Sequence, residues 1–297
     1  MCGIAGIIEK NTDNKALMSQ MLDAIAHRGP DDKSVYAIDD CTLGHRRLSI
    51  IDLSTGNQPI FNEDKTVAVV FNGEIYNFQE IREELKVKGH QFTTTSDTEI
   101  LVHLYEEYGV NFAECLNGIF AFAIYDTKQE LLMLARDHFG IKPLHYYYKD
   151  GTLVFGSEQK SIILHPKYEK GVNYKALHYQ LNLRYNQSNE TLFAGIKRLP
   201  PAHYAVFQKG QLAIKQYWSL QPKLNANITE AEAIEGVNFH LKQAVERQLI
   251  SDVPVGVYLS GGLDSSTIVQ KMHELGVPQI NTYTLGFNEP TDEFPDA

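Results

Sequence analysis

The chain changes its hydrophobic grammar once along its length. In the first two-thirds, short apolar runs of strand type recur at Gly3–Ile8, Cys41–Ile51, Thr66–Asn72, Phe120–Asp126, Leu131–Arg136, Leu144–Tyr148 and Leu153–Ser157. Several are joined by short polar turns such as Asp126-Thr127-Lys128-Gln129 and Lys149-Asp150-Gly151, which predicts largely antiparallel pairing. Helical periodicity covers Ala16–His27, Phe78–Lys88 and Thr98–Tyr108; in the last, Ile100, Leu101, Leu104 and Tyr105 share one face. Helices covering antiparallel sheets make an α+β domain.

The stretch Tyr204–Trp218, centred on Lys209-Gly210, predicts a hairpin leading out of that domain, with Pro200-Pro201 stiffening its approach. Asn225–Thr229 is polar and linker-like, and Thr229-Glu230-Ala231-Glu232 is an N-cap signal for a long helix to about Ile250. The pattern then becomes apolar run Val253–Leu259, loop Ser260-Gly261-Gly262, helix Asp264–Leu275 and apolar run Ile280–Gly286. That is a β-loop-α-β unit, the opening of an α/β parallel sheet. The predicted division is a first domain over 1–203, hairpin and linker over 204–228, and the start of a second domain over 229–297.

Composition narrows the class. A chain of 297 residues suits two domains, and 43% hydrophobic with 22% charged residues is the balance of a globular protein. A net charge of −10 without a Lys/Arg stripe argues against a nucleic-acid partner. No run reaches membrane-spanning length, and Ile4–Ile8 is too short for a signal peptide. Cys2, Cys41 and Cys115 lack metal-ligand spacing and cannot all pair, as suits a reducing cytoplasm. The histidines show no metal-type cluster, so no metal site is expected from them.

Two motifs carry chemistry. Removal of Met1 would leave Cys2 with a thiol and a free α-amino group, whose pKa of about 7.7–8.0 suits it to take the thiol proton. The plain alternative is a small residue opening an apolar strand. Ser260-Gly261-Gly262-Leu263-Asp264-Ser265-Ser266 lies between a buried strand and a helix, where glycines admit a ligand and helix N–H groups face an anion. Its plain alternative is a tight turn with a Ser or Asp cap.

This Ser-Gly-Gly-Leu-Asp-Ser-Ser loop resembles the pyrophosphate loop of the ATP-pyrophosphatase superfamily. Together with Met1-Cys2-Gly3-Ile4 it resembles the glutamine-hydrolysing asparagine synthetases, in which an N-terminal-nucleophile, class II glutaminase domain precedes an ATP domain. The resemblance implies that Cys2 attacks the glutamine amide. His45-Arg46-Arg47-Leu48-Ser49-Ile50-Ile51-Asp52 resembles the substrate-carboxylate strand, with Arg47 at the carboxylate and Leu48, Ser49, Ile50 and Ile51 beside it. Phe71-Asn72-Gly73-Glu74-Ile75-Tyr76-Asn77 resembles the oxyanion segment, with Asn72 and Gly73 as donors and Glu74 among the glutamine contacts. Asn-Gly is also a common hairpin turn. In Ser96-Asp97-Thr98-Glu99, Asp97 matches the ammonium anchor, and the same residues read as a helix cap. His27-Arg28-Gly29-Pro30-Asp31 and Arg136–Leu144 match segments that frame the site without a chemical step.

For the second domain the resemblance implies ATP contacts at Leu259, Ser260, Gly261, Gly262, Asp264, Ser265 and Leu285, with Mg2+ accompanying the nucleotide. The implied reaction frees ammonia from glutamine, adenylates aspartate and releases asparagine, AMP and pyrophosphate. Two strands and a helix cannot cover a parallel sheet, so the synthetase half is expected to be C-terminally truncated and Val255, Val257, Leu259, Ile268, Val269 and Met272 poorly covered. A homodimer, or a partner supplying the missing half, would complete it. Two other readings stay open: a related amidotransferase acting on another carboxylate, and a non-catalytic subunit.

Overall fold

The structure is a computed structural model that describes residues 1–224 and 227–286. It divides into two compact units, Met1–Leu220 and Gln221–Ala297. Of the expected linker Asn225–Thr229, residues 225 and 226 lie outside the described residues.

The first unit is built on two six-stranded antiparallel sheets. One uses β1 (Gly3–Ile8), β2 (Asp32–Ile38), β3 (Cys41–Arg47), β8 (His145–Lys149), β9 (Thr152–Gly156) and β10 (Ile196–Arg198), in the order β10-β8-β9-β1-β3-β2. The other uses β4 (Ile60–Phe61), β5 (Val67–Ile75), β6 (Gly118–Asp126), β7 (Leu131–Arg136), β11 (His203–Gln208) and β12 (Gln211–Gln216), in the order β12-β11-β7-β6-β5-β4. Side-chain alternation sorts each strand between two cores. Ile4, Leu43, Ala68, Val70, Ala123 and Leu134 pack between the sheets. Ala5 and Ile7 turn the other way, onto Met18, Met21 and Leu22 of α1 (Lys15–Ala24) and Ile162 of the short α4 (Gln159–Ile162). Val69, Phe71 and Phe122 face Ile81 and Leu85 of α2 (Phe78–Val87) and Leu101 and Leu104 of α3 (Ile100–Tyr108). Because both faces are covered, β1, residues 67–71 of β5 and residues 119–125 of β6 are continuous apolar runs despite antiparallel pairing. The expected α+β fold of antiparallel sheets layered with helices is present.

Several details depart from the sequence reading. The edge strand β2 and short β10 were not signalled, since β2 is half-buried throughout and carries Asp32, Lys33 and Ser34. The helix α5 (Tyr174–Leu183) buries only Ala176, so its apolar face gave no clear period. The strand starting at Cys41 stops at Arg47, and β5 continues past Asn72 to Ile75. The hairpin β11–β12 does not lead out of the first unit. It is paired into the second sheet through β7, because Ala205 and Phe207 belong to the inter-sheet core.

In the second unit, α6 (Glu230–Gln248) opens with a full capping box: Thr229 Oγ1 accepts from the Glu232 N–H, and the Glu232 carboxylate accepts from the Thr229 N–H. β13 (Gly256–Tyr258) and β14 (Asn281–Tyr283) pair in parallel, connected by α7 (Leu263–Glu274). Among the described residues of this unit only Val245, Lys271 and Met272 are buried. Val255, Val257, Leu259 and Val269 are half-buried and Ile268 is exposed. No helix among the described residues is long and apolar enough to cross a membrane.

Candidate active site

One end of the sheet pair collects the chemistry. Cys2 precedes β1 and continues the alternation of Ile4 and Ile8, which places its side chain on the inter-sheet side. The pairing of β1 with β3 ends at Gly3–Arg46, which brings Cys2 beside Arg47 and Leu48. The Leu48 N–H donates to the thiol sulfur at 3.4 Å, and the thiol lies 3.5 Å from the Leu48 carbonyl. Arg28 Nε–H donates to the Cys2 carbonyl at 2.9 Å, and its guanidinium pairs with Glu158 at 3.1 Å. The framing segment His27–Asp31 therefore fixes the backbone of the thiol residue directly. Burial pushes the Cys2 thiol up from its ordinary pKa, so the thiol by itself is not an activated nucleophile.

Cys2 lines a small pocket with Arg47, Leu48, Ile50, Ile51, Gly73, Glu74 and Asp97. Arg47 is buried, and its guanidinium donates to Asn57 Oδ1 at 2.5 Å and to the carbonyls of Ile51 and Asp52. These partners are all neutral oxygens, which orient the fork without cancelling its charge. Ser49 differs from its neighbours: its N–H donates to Asp31 at 2.8 Å, and it does not line the pocket.

The segment Asn72-Gly73 is the interior of β5, not a turn. Phe120, opposite Gly73 on β6, spends its N–H on the Asp137 carboxylate and its carbonyl on the Asp137 N–H. Gly73–Phe120 is therefore a non-hydrogen-bonded pair, and the Gly73 N–H points away from β6. Its neighbours on that edge share this direction. The Phe71 N–H donates to Gln58 Oε1 at 2.6 Å and the Ile75 N–H to Asp97 Oδ2 at 2.9 Å. The Gly73 N–H lies between them, on the edge facing the pocket. A Cβ at Gly73 would stand 2.7 Å from Phe120 Cα and closer still to the Ile119 carbonyl. Gly73→Ala is expected to lower Tm by several degrees, read by differential scanning calorimetry. Asn72 projects to the inter-sheet side, as Cys2 does. It is 1% exposed, and neither polar atom of its amide has a hydrogen-bond partner. A buried unsatisfied amide is costly, and Asn72 is not itself among the residues that line the pocket.

Asp97 and Glu74 are the two carboxyl groups that line the pocket with Arg47. Burial pushes Asp97 up to about 6, against the hydrogen bonds it accepts from the Ile75 N–H, Ser96 and Thr98. Burial, together with the Asp97 charge, pushes Glu74 up to about 8. Lys142, in the framing segment Arg136–Leu144, is buried and electrostatically coupled to Glu74 and Cys2, and burial pulls its ammonium down. Gln58, Gly56, Ser96 and Thr98 also line the pocket and were not singled out in the sequence. Only Ser96 and Thr98 had a signal, their place beside Asp97.

In the second unit, Ser260 and Ser265 hydroxyls lie 3.1 Å apart, and Ser260 Oγ accepts from the Gly262 N–H at 3.3 Å. Gly261 takes a positive φ of 75°. Leu259 directly follows the first strand of the parallel pair, donating its N–H to the Tyr283 carbonyl at 3.0 Å, and exposed Leu285 follows the second. Asp264, also exposed, is the loop's only carboxylate. The expected loop thus sits at the carboxyl ends of parallel strands, where α/β sheets bind ligands.

The fold and the thiol-centred pocket define the class, and residues 1–218 match the family described as glutamine amidotransferase domain. The chain belongs to that family. Residues 236–297 match the family described as asparagine synthase, so the particular relatives are glutamine-hydrolysing asparagine synthetases. Asparagine synthetase [glutamine-hydrolyzing] 3 of Bacillus subtilis is 38% identical across 97% of this chain and 48% of its own. A fungal relative, Amidase chyE of Penicillium rubens, is 36% identical across 93% of this chain and 43% of its own. The chain spans about half the length of the curated relatives it matches. A solved glutamine phosphoribosylpyrophosphate amidotransferase from B. subtilis, complexed with ADP and GMP, shares the fold at TM-score 0.54 and 16% identity, covering 95% of this chain and 65% of its own.

Proposed function

We propose that this chain hydrolyses glutamine at Cys2 as the ammonia-producing half of an asparagine synthetase. The observation that carries the reading is the convergence of the Cys2 thiol, the Arg47 guanidinium, the Gly73 N–H and the Asp97 carboxylate on one pocket. Arg47 grips the α-carboxylate of glutamine, and Asp97 with Glu74 holds its α-ammonium. With Met1 removed, the Cys2 amine takes the thiol proton, and the thiolate attacks the side-chain amide carbon. The Asn72 amide and the Gly73 N–H receive the developing oxyanion. The protonated Cys2 amine returns that proton to the departing nitrogen, so the tetrahedral adduct expels ammonia and leaves a thioester, which water hydrolyses to glutamate and the free thiol.

The Asn72 assignment is tested by Asn72→Ala, which is expected to lower kcat by about 10²–10³-fold with KM for glutamine little changed. The self-base step requires that active protein begin at Cys2. Intact mass spectrometry finding Met1 on active chains would refute it.

The nucleotide half of the reading uses the Ser260–Ser265 loop. The first N–H groups of α7 and the Ser260 and Ser265 hydroxyls would hold the ATP pyrophosphate, with Leu259 and Leu285 beside the nucleotide. Mg2+ binds through one or two carboxylates plus substrate phosphates, a role Asp264 fits. Aspartate is the proposed acceptor. Because the described residues of the second unit bury so little core, the 297 residues alone are expected to show glutaminase activity without aspartate-dependent AMP formation; such AMP formation would overturn this restriction. A homodimer, or a partner completing the second unit, belongs to the same proposal, and sedimentation tests it.

A further inference from the structure

Away from the thiol pocket, four side chains from three segments turn their donor atoms onto one point. They are Glu63 between β4 and β5, His90 between α2 and α3, and His103 and Glu106 on α3. Their ligand atoms all lie within 4.8 Å of one another. His103 Nδ1 is 3.3 Å from Glu106 Oε2 and 3.5 Å from Glu63 Oε2; His90 Nδ1 is 3.6 Å from Glu63 Oε1 and 3.7 Å from Glu106 Oε2. In a tetrahedral site with metal–ligand bonds of about 2.0–2.2 Å, neighbouring ligand atoms stand about 3.3–3.6 Å apart. These four separations, two of which use different oxygens of Glu63, fall on or just outside that edge length, and the remaining pairs lie within 4.8 Å.

The surroundings of His90, Glu106 and Glu63 supply the supporting contacts such a site uses. His90 Nε2 is 3.1 Å from the Glu107 carboxylate, which Lys88 also holds. A proton on that nitrogen leaves Nδ1 as a lone pair facing Glu63 and Glu106. Asn62 Nδ2 donates to Glu106 Oε1 at 2.7 Å, leaving Oε2 toward the cluster. The Gln91 N–H donates to Glu63 Oε1 at 2.9 Å. His103 is 1% exposed and is wedged against His90 and Phe92, with ring centroids 4.8 and 4.6 Å away. Glu63 and Glu106 are partly exposed, at 36% and 30%, so an ion can reach the cluster from solvent.

We propose that Glu63, His90, His103 and Glu106 bind a divalent transition-metal ion of the zinc type, in a structural site. All four coordination positions are filled by protein, as in structural rather than catalytic zinc sites. The ion would tie the α2–α3 connection, which carries Ser96 and Asp97, to α3 and the β4–β5 turn. The sequence alone did not show it, because only His103 and Glu106 are close along the chain.

The untagged full chain, stripped with chelator and re-equilibrated with zinc chloride, is expected to retain one zinc per chain through gel filtration and to gain several degrees in Tm. Glu63→Gln and His90→Asn, whose folding is checked by circular dichroism without metal, are expected to lose both effects. Cobalt(II) in place of zinc is expected to give tetrahedral ligand-field bands without the sulfur charge-transfer bands of binding at a cysteine. Failure of the parent chain to retain zinc, equal retention by both variants, or sulfur bands in the cobalt form would each overturn the proposal.

Discussion

Cys2→Ala is expected to abolish glutamine hydrolysis, with a loss on the order of 10⁴–10⁶-fold in kcat and no thioester trapped on rapid quench. The size follows from the architecture of the proposed reaction. The thiol forms the bond, and the amine of the same residue would accept the proton. The thiol is held by Leu48 and its carbonyl by Arg28, and neither contact needs the sulfur to be reactive. Folding should survive the change, since Cys2 lies outside β1 and is only partly buried. Retained glutamine binding by Cys2→Ala, measured by calorimetry, would separate lost chemistry from a lost pocket. Undiminished turnover in this variant would remove the whole reading.

Asp97→Asn is expected to reduce kcat/KM for glutamine by about 10²–10³-fold, mostly through KM, because a buried ammonium would lose its charged partner. The same change is expected to stabilise the free protein at alkaline pH. Asp97 and Glu74 are both raised above the ordinary carboxylate range, by burial and, for Glu74, by Asp97 itself. A carboxyl whose folded pKa is raised holds its proton more tightly in the native state. Its favourable contribution is full below the unfolded pKa and is lost as pH rises through the folded value. The strain of this pair therefore grows between about pH 4 and pH 8, and removing one charge relieves it there. The Tm of Asp97→Asn relative to the parent should rise from pH 5 to pH 8. A flat difference would mean that the pair carries no such tension. In the parent, KM for glutamine is expected to increase as pH falls through the range where Asp97 takes its proton. The proposed ligand would repay the cost of two close buried carboxylates, a common trade at sites built to bind charge.

Much of this molecule was legible in one dimension. The two grammars of apolar positions separated an α+β unit from the opening of a parallel sheet, because side-chain period and turn chemistry are local properties. The capping box at Thr229 and the strand-loop-helix at Ser260 were equally local. So were the motifs around Cys2, Arg47, Asn72-Gly73 and Asp97. Tertiary structure decided what those motifs could do together. Whether Asn72-Gly73 was a turn or a strand interior depended on β6 and Asp137, which occupy the other edge and aim the Gly73 N–H outward. Whether β11–β12 left the first unit depended on the inter-sheet core that Ala205 and Phe207 complete. Gln58, Lys142 and the cluster of Glu63, His90, His103 and Glu106 are assembled from distant segments, and no spacing rule announces them. Hydrophobic periodicity records which face each residue turns to the core. It does not record which edge, or which partner from far along the chain, that face will meet.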